Sequence, residues 1–247
     1  RSTGVSAPVA LTGPRMSAVR ILSIDCSTDV LSVACGDGSD FAVRDEHVGP
    51  AHAERALPRI RELLALRGWA LGSLDAIAFG AGPGSFTGVR IACGIAQGLA
   101  LGAGLGLVPV GTLEALAQEA WRAHGAAEVF ACLDARMREV YVASYAREGG
   151  GWRTLRQPDV LKPDAVAAQP ASSFGAGDGL ALYPVLAERI GLARHDASLR
   201  PTARAVGELA ADRIARGDLV AARDAHPMYV RHRVALTAAE RAAGARL

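Results

Sequence analysis

Apolar residues come in short blocks at the start of the chain and fall into helical spacing further on. Residues 20–25, 30–35 and 40–45 are apolar-rich runs separated by Ser/Thr/Asp and Gly/Asp turns, which predicts three short strands in an antiparallel meander. From 52 to 66 the period becomes helical, with Leu57, Ile60 and Leu64 on one face and Arg55, Arg59 and Glu62 largely elsewhere. Pro58 lies within that run and would interrupt a long helix unless it sits in the first turn. Residues 75–79 read as a buried strand, 87–100 as a helix and 107–110 as a strand, a crossover unit that follows the meander.

The second half opens with a helix over 113–122. Strands at 129–134 and 139–145 then flank Ala135-Arg136-Met137-Arg138. This loosely repeats the first half: an acid-ended strand, a turn, a strand. Residues 158–170 read as weakly structured, and 201–216 as a helix opened by Pro201 and closed by Gly217. The expected division is a disordered or non-native extension over 1–16, a first subdomain over 17–110, a smaller and degenerate second one over 111–232 whose last helix packs back on the first, and a frayed tail over 233–247.

With 247 residues the chain can bury a substantial core in one domain or two subdomains. Lys plus Arg number 27 against 25 Asp plus Glu, a formal charge of +2 with no basic stripe, so composition gives no support to nucleic-acid binding by this chain alone. Nearly all the basic residues are arginine, a bias assigned to a GC-rich genome before any phosphate-binding role. Cys26, Cys35, Cys93 and Cys132 stand far apart in apolar surroundings, which predicts core thiols in a reducing cytoplasm and neither a metal knuckle nor a disulfide scaffold. Residues 91–110 come near the composition of a membrane span, but their many glycines and alanines and their strand-like end favour a buried helix followed by a strand.

The most informative run is Gly82-Pro83-Gly84-Ser85-Phe86-Thr87-Gly88-Val89-Arg90, a polar glycine loop that leads into a helix. Without a Cβ, Gly82, Gly84 and Gly88 can bring backbone N–H groups to an anion or let two segments approach closely. Gly94 and Gly98, four residues apart on the following helix, would likewise admit a second backbone, from the chain's own core or from a partner. Upstream, Ile24-Asp25-Cys26-Ser27-Thr28 ends an apolar strand in an acid and hydroxyls.

Together with Gly94-Ile95-Ala96-Gln97-Gly98-Leu99-Ala100, Asp134-Ala135-Arg136-Met137, Glu139-Val140-Tyr141 and Pro227-Met228-Tyr229-Val230-Arg231, these motifs resemble the TsaB (YeaZ) family. Members of that family are accessory subunits of bacterial tRNA threonylcarbamoyladenosine synthesis, and the resemblance covers roughly residues 19–232. It implies an α/β fold of duplicated actin/Hsp70/sugar-kinase-like (ribonuclease H-like) subdomains with mixed sheets and flanking helices. It also implies a non-catalytic, cytoplasmic chain that dimerises with and activates the TsaD transferase subunit, in a complex with a TsaE-like ATPase, for modification of adenosine 37 in tRNAs reading ANN codons. The complex would use ATP and a metal ion in its other subunits, tRNA would meet this chain only indirectly or weakly, and alone the chain would form a homodimer. The partner-binding helices carried over from the family bear Leu57, Ile60 and Leu64 on one and Val89, Cys93 and Gln97 on the other.

Reactive chemistry is thinly signalled. In a nucleotide-binding relative Asp25 would sit near a phosphate-bound Mg²⁺ with Ser27 and Thr28 nearby; the competing reading has Asp25 capping a turn while Ser27 and Thr28 satisfy backbone groups. The glycine loop lacks the Gly-Lys-Ser/Thr ending of a phosphate-binding P-loop. Gly175, Gly177 and Gly179 with Asp178 could face an adenosine, but a plain turn explains them as well. Where the related transferases look to carry a His-x-x-x-His helix, this chain reads Val110-Gly111-Thr112-Leu113-Glu114, and Thr112 or Glu114 alone does not make a metal site. His47 and His52 are five residues apart, which suits exposed or capping roles better than ligation. Ser85 lacks the Gly-x-Ser-x-Gly frame of a nucleophile elbow, so a peptidase is not supported. The alternative kept beside the accessory role is a free-standing ATPase or small-molecule kinase of the same fold.

Overall fold

The computed structural model describes residues 19–38 and 40–230, and the expected disordered segments 1–16 and 233–247 lie outside them. The meander forms as expected from β1 (Ile21–Asp25), β2 (Val30–Gly36) and β3 (Phe41–His47), all antiparallel. After α1 (His52–Arg67), β4 (Ala76–Gly82) pairs parallel to β1. The glycine loop, α2 (Phe86–Ala103) and β5 (Gly106–Gly111) complete a sheet of order β3-β2-β1-β4-β5. Pro58 sits in the second turn of α1, and the helix runs through it. One missing hydrogen bond is outweighed by the burial of Ala56, Ile60, Leu63 and Leu64 on the sheet. Arg55, Arg59 and Glu62 add ion pairs to Arg44 and Glu46 of β3.

The second half repeats this plan. After α3 (Thr112–His124) come β6 (Glu128–Asp134), β7 (Val140–Glu148) and β8 (Gly151–Leu161), again an antiparallel meander. β9 (Phe174–Ala176) pairs parallel to β6. Two short helices, α4 (Gly179–Leu182) and α5 (Val185–Arg189), lead to β10 (Arg194–Asp196), and the sheet order β8-β7-β6-β9-β10 is that of the first half. The last helix is α6 (Ala203–Ala215). It starts at Thr202, whose hydroxyl accepts from the Ala205 N–H at 3.1 Å, and Pro201 stands just before this cap.

Residues 158–161 belong to β8, which corrects the expectation of weak structure there. Pro158 is tolerated because β8 is an edge strand and its pairing with β7 is irregular between Val142 and Tyr145.

The layers are helix, sheet, helix, sheet, helix. α1 and α2 cover one face of the first sheet through Leu22, Ile24, Val33, Ile77 and Phe79. On its other face, Ile21, Ala78, Val108 and Val110 meet Ala115 of α3 and Ala205, Val206 and Leu209 of α6. α3 also packs against the second sheet, where Leu113, Leu116 and Ala120 meet Val129, Ala131 and Leu133. α4 and α5 close the far side over Phe130, Cys132 and Val142. After α6 the chain stays on the first unit: Val220 pairs with Leu107 in β5, and the Met228 N–H donates to the Ala81 carbonyl at 2.6 Å.

Candidate functional site

The glycine loop lies directly on the turn that ends β1. The Ser85 N–H donates to the Ser27 carbonyl at 2.7 Å, and a Cβ built on Gly84 would come within 2.6 Å of that same oxygen. A Cβ on Gly88 would run into the Cys26 carbonyl oxygen, so backbone meets backbone here. Gly82 has φ of +104°, a conformation that favours glycine, and its N–H donates to Thr112 Oγ1 at 3.1 Å. The first turn of α2 is capped from within, since Ser85 Oγ accepts from the Gly88 N–H at 3.3 Å. Of the two roles open to these glycines, the geometry is that of close approach: the Gly82, Ser85 and Gly88 N–H groups are already engaged by protein.

Asp25 is fully buried. Its Oδ1 accepts from the Ser27 N–H at 2.9 Å and from the Ser27 hydroxyl at 2.7 Å, while Thr28 Oγ1 accepts from the Val30 N–H at 3.2 Å. These are the bonds of a capped turn. Oδ2 has no hydrogen-bond partner among the described residues and is pressed against Gly80, where any Cβ would collide with it. Burial pushes the Asp25 carboxyl above its ordinary value, against the lowering effect of the Ser27 bonds and of nearby His52; Asp45 adds to the rise. A nucleotide with Mg²⁺ does not fit this arrangement. The free oxygen faces the Gly80 backbone, and the other is spent on the turn.

The corresponding strand end in the second half is engaged in the same way. Asp178 Oδ1 accepts from the Asp134 N–H at 3.0 Å, and Asp134 Oδ1 from the Arg136 N–H at 2.8 Å. A Cβ on Gly175 would meet Leu192 and Leu180 at 2.6 and 2.8 Å, and one on Gly179 the Cys132 sulfur at 2.5 Å, so these glycines pack β9 and α4 onto β6 and face no open adenosine site.

Thr112 is the acceptor for Gly82 already described. Arg213 Nη2 donates to both Glu114 carboxylate oxygens, at 2.8 and 2.6 Å, tying α3 to α6. His47 pairs loosely with Asp29 at 3.4 Å on the surface. His52, expected to be exposed or capping, is buried at the first position of α1, and its Nε2 has no hydrogen-bond partner among the described residues. The four cysteines are buried and reduced, and no cluster of three or more His, Cys, Asp or Glu residues among those described has metal-binding geometry.

Comparison with known proteins accords with this fold. The family described as "TsaD: tRNA N6-adenosine threonylcarbamoyltransferase" matches residues 43–216. The tRNA threonylcarbamoyladenosine biosynthesis protein TsaB of Escherichia coli is 42% identical over 223 residues, which is 88% of this chain and 96% of the relative. Two Pseudomonas aeruginosa structures superpose well. One, described as an uncharacterized protein with similarity to peptidase YEAZ, has a TM-score of 0.80 at 42% identity over 86% of this chain and all of the other. The second, YeaZ, has a TM-score of 0.79 at 40% identity over 85% of this chain and 99% of the other. The chain belongs to the TsaB family. TsaB chains are accessory, non-catalytic members of the threonylcarbamoyladenosine pathway, and the duplicated α/β halves are the fold that the resemblance implied.

On the two helices that the family resemblance singled out in this TsaB chain, the residues divide by face. Ile60 and Leu64 are buried in the core beneath α1, and only Leu57, 39% exposed, faces out. Val89 and Cys93 are buried under α2. Gln97 donates to the Ala222 and Ala225 carbonyls at 2.9 and 3.0 Å. Within the chain itself five of the six are engaged in its own fold, because the apolar stripe of an amphipathic helix turns first to its own sheet. The exposed residues of α2 are Phe86, Thr87, Arg90, Gly94, Gly98, Leu101 and Gly102, with Ile91 and Ile95 half-buried beside them. Sequence reading named Gly94 and Gly98. It missed the C-terminal segment that Gln97 holds, whose only signal was the Pro227-Met228-Tyr229 motif.

Two outcomes are expected. Gly88→Ala should destabilise the fold by about 1–3 kcal/mol in urea unfolding, since the added methyl meets main chain that cannot rotate away. Asp25 has a raised folded value, so the stability it contributes is full below its unfolded value near 3.8 and is lost as pH rises through the folded one. Asp25→Asn should therefore flatten the pH dependence of the melting temperature above pH 4 and exceed the parent at pH 8.

Proposed function

We propose that this chain is the accessory subunit that pairs with and activates a TsaD-like transferase in threonylcarbamoylation of adenosine 37 of ANN-reading tRNAs, through the outer face of α1 and α2. The carrying observation is on α2. A Cβ built on Gly94, Gly98 or Gly102 meets nothing within 4 Å, so the chain's own packing gives no reason for three glycines there. Each costs a helix interior about 0.5–1 kcal/mol relative to alanine. They lie at i, i+4 and i+8, a groove along which a second helix can approach closely.

Beyond Arg90 and Thr87 near its start, the open face of α2 carries aliphatic side chains. Leu101 is 80% exposed, and α2 is the helix among the described residues long and apolar enough to span a membrane by length and composition, with only a third of it buried. Burial of such a stripe against a partner contributes about 25 cal/mol per Å² before ordering costs. Because the TsaD description itself matches residues 43–216, chain and partner share a fold, and equivalent helices can meet about a pseudo-two-fold axis. The same face pairs with itself when the chain is alone. A TsaE-like ATPase joins the complex, which works in the cytoplasm, and tRNA meets this subunit indirectly. The ATPase or kinase alternative has no favouring observation, since Asp25 and the glycine loop are occupied by the protein's own bonds.

Gly98→Ala should raise helix stability by about 0.5–1 kcal/mol while weakening association, and Gly98→Leu should abolish the complex with the genome's TsaD-like protein in size-exclusion chromatography with the melting temperature retained. An unchanged complex with Gly98→Leu would refute the reading.

A further inference from the structure

At the head of the glycine ridge stands an arginine already fixed in place. Arg90 precedes Gly94 by one turn, so Arg90, Gly94, Gly98 and Gly102 form one i, i+4 row on α2. Its guanidinium lies 3.3 Å from the centroid of the Phe86 ring and 4.9 Å from that of Tyr229, which arrives from the C-terminal segment. Arg90 Nη1 donates to the Phe86 carbonyl at 3.1 Å, and no carboxylate among the described residues pairs with it. Phe86 and Tyr229 are themselves 55% and 54% exposed.

Beside these rings is a pocket of about 40 Å³ lined by Pro83, Phe86, Val89, Tyr141, Met228 and Tyr229, with no acidic residue in its wall. A guanidinium held beside two rings has lost much of its rotamer freedom before any ligand arrives, and its fork matches a carboxylate. Arginine and aromatic residues around a small apolar hole are the usual composition of an interface hot spot. The pocket has room for about three water-sized spheres. That suits a small aliphatic branch, and a chain of net charge +2 offers little to a phosphate backbone.

We infer that Arg90, the Phe86 and Tyr229 rings beside it and this pocket receive a segment of the transferase subunit that presents a carboxylate to Arg90 and a small aliphatic side chain to the pocket. The inference rests on the pairing proposed above and fixes the register of the partner along α2. The C-terminal segment thereby has a second role: it carries Tyr229 and Met228 to the place where the partner docks.

The test is titration of the full-length chain against the purified TsaD-like subunit by biolayer interferometry at about 50 and 300 mM salt, with thermal unfolding of every variant as the folding control. Arg90→Glu should weaken binding at least tenfold at low salt and remove most of its salt dependence. Arg90→Lys, which keeps the charge and loses the fork, should fall between Arg90→Glu and the parent, and Tyr229→Ala should weaken binding with Arg90 intact. If Arg90→Glu binds within twofold of the parent while Gly98→Leu does not bind, the inference is overturned and the pairing stands. If both bind like the parent, the pairing fails with it. If Arg90→Glu keeps its partner affinity and the complex loses binding of an unmodified tRNA transcript, the surface reads RNA and the inference is equally overturned.

Discussion

The contact of the glycine loop with the Cys26–Ser27 backbone is the constraint on which this architecture turns. Three segments converge there: the end of β1, the start of α2 and, through Gly82 and Thr112, the start of α3. Only residues without a Cβ allow main chain to lie that close to main chain, and the hydrogen bond from Ser85 to Ser27 then replaces solvent for both groups. The same closeness removes the chemistry such a loop supports elsewhere. The Gly82, Ser85 and Gly88 N–H groups point at the protein's own carbonyl and hydroxyl oxygens, and the Asp25 carboxyl beneath the loop is desolvated by burial.

Between the two sheets the second stabilising arrangement is the shared helix layer. α3 buries one side on each sheet, and α6 leaves the second half to cover the first sheet. Arg213 joins these helices, with Nη2 shared between both Glu114 oxygens and Nη1 donating to the Pro109 carbonyl at 2.8 Å. Glu119, buried in α3, is bonded by the Thr202 hydroxyl and by Arg122. These bonds tie the shared helix layer together, beside a polar cavity of about 330 Å³ that Glu114, Trp152, Asp212 and Arg213 help to line. A fold with two acid-ended strands need not be an enzyme, because function is decided by what surrounds the acids.

Against this inward economy the outer face of α2 stands unfinished. Glycines with no internal neighbour, an 80%-exposed leucine and an arginine held beside two rings are features that solvent alone does not explain. The accessory role that the family shows agrees with that contrast: the Asp25 turn is occupied by the protein's own bonds, and the helix surface is bare. The two features share the glycine-loop anchor, which sets the direction of α2 and brings Phe86, Arg90 and the returning Tyr229 to one end of the surface.

By itself, the order of residues determined the meander, the four long helices, the repeated plan of the two halves and the motifs that mark the family. Period and turn chemistry are local, and they survive without knowledge of neighbours. It did not reveal β8, whose polar edge has no alternation, or β9 and β10, which are three residues long and exist only through pairing. Nor could it tell which face of α2 looks outward, because a helix apolar on nearly every side carries no polar stripe to mark solvent. Whether Gly88 and Gly94 serve close packing or an open groove was likewise beyond it: both are the same residue in the same helix, and only the tertiary structure sets the Cys26 carbonyl beside one and leaves nothing beside the other.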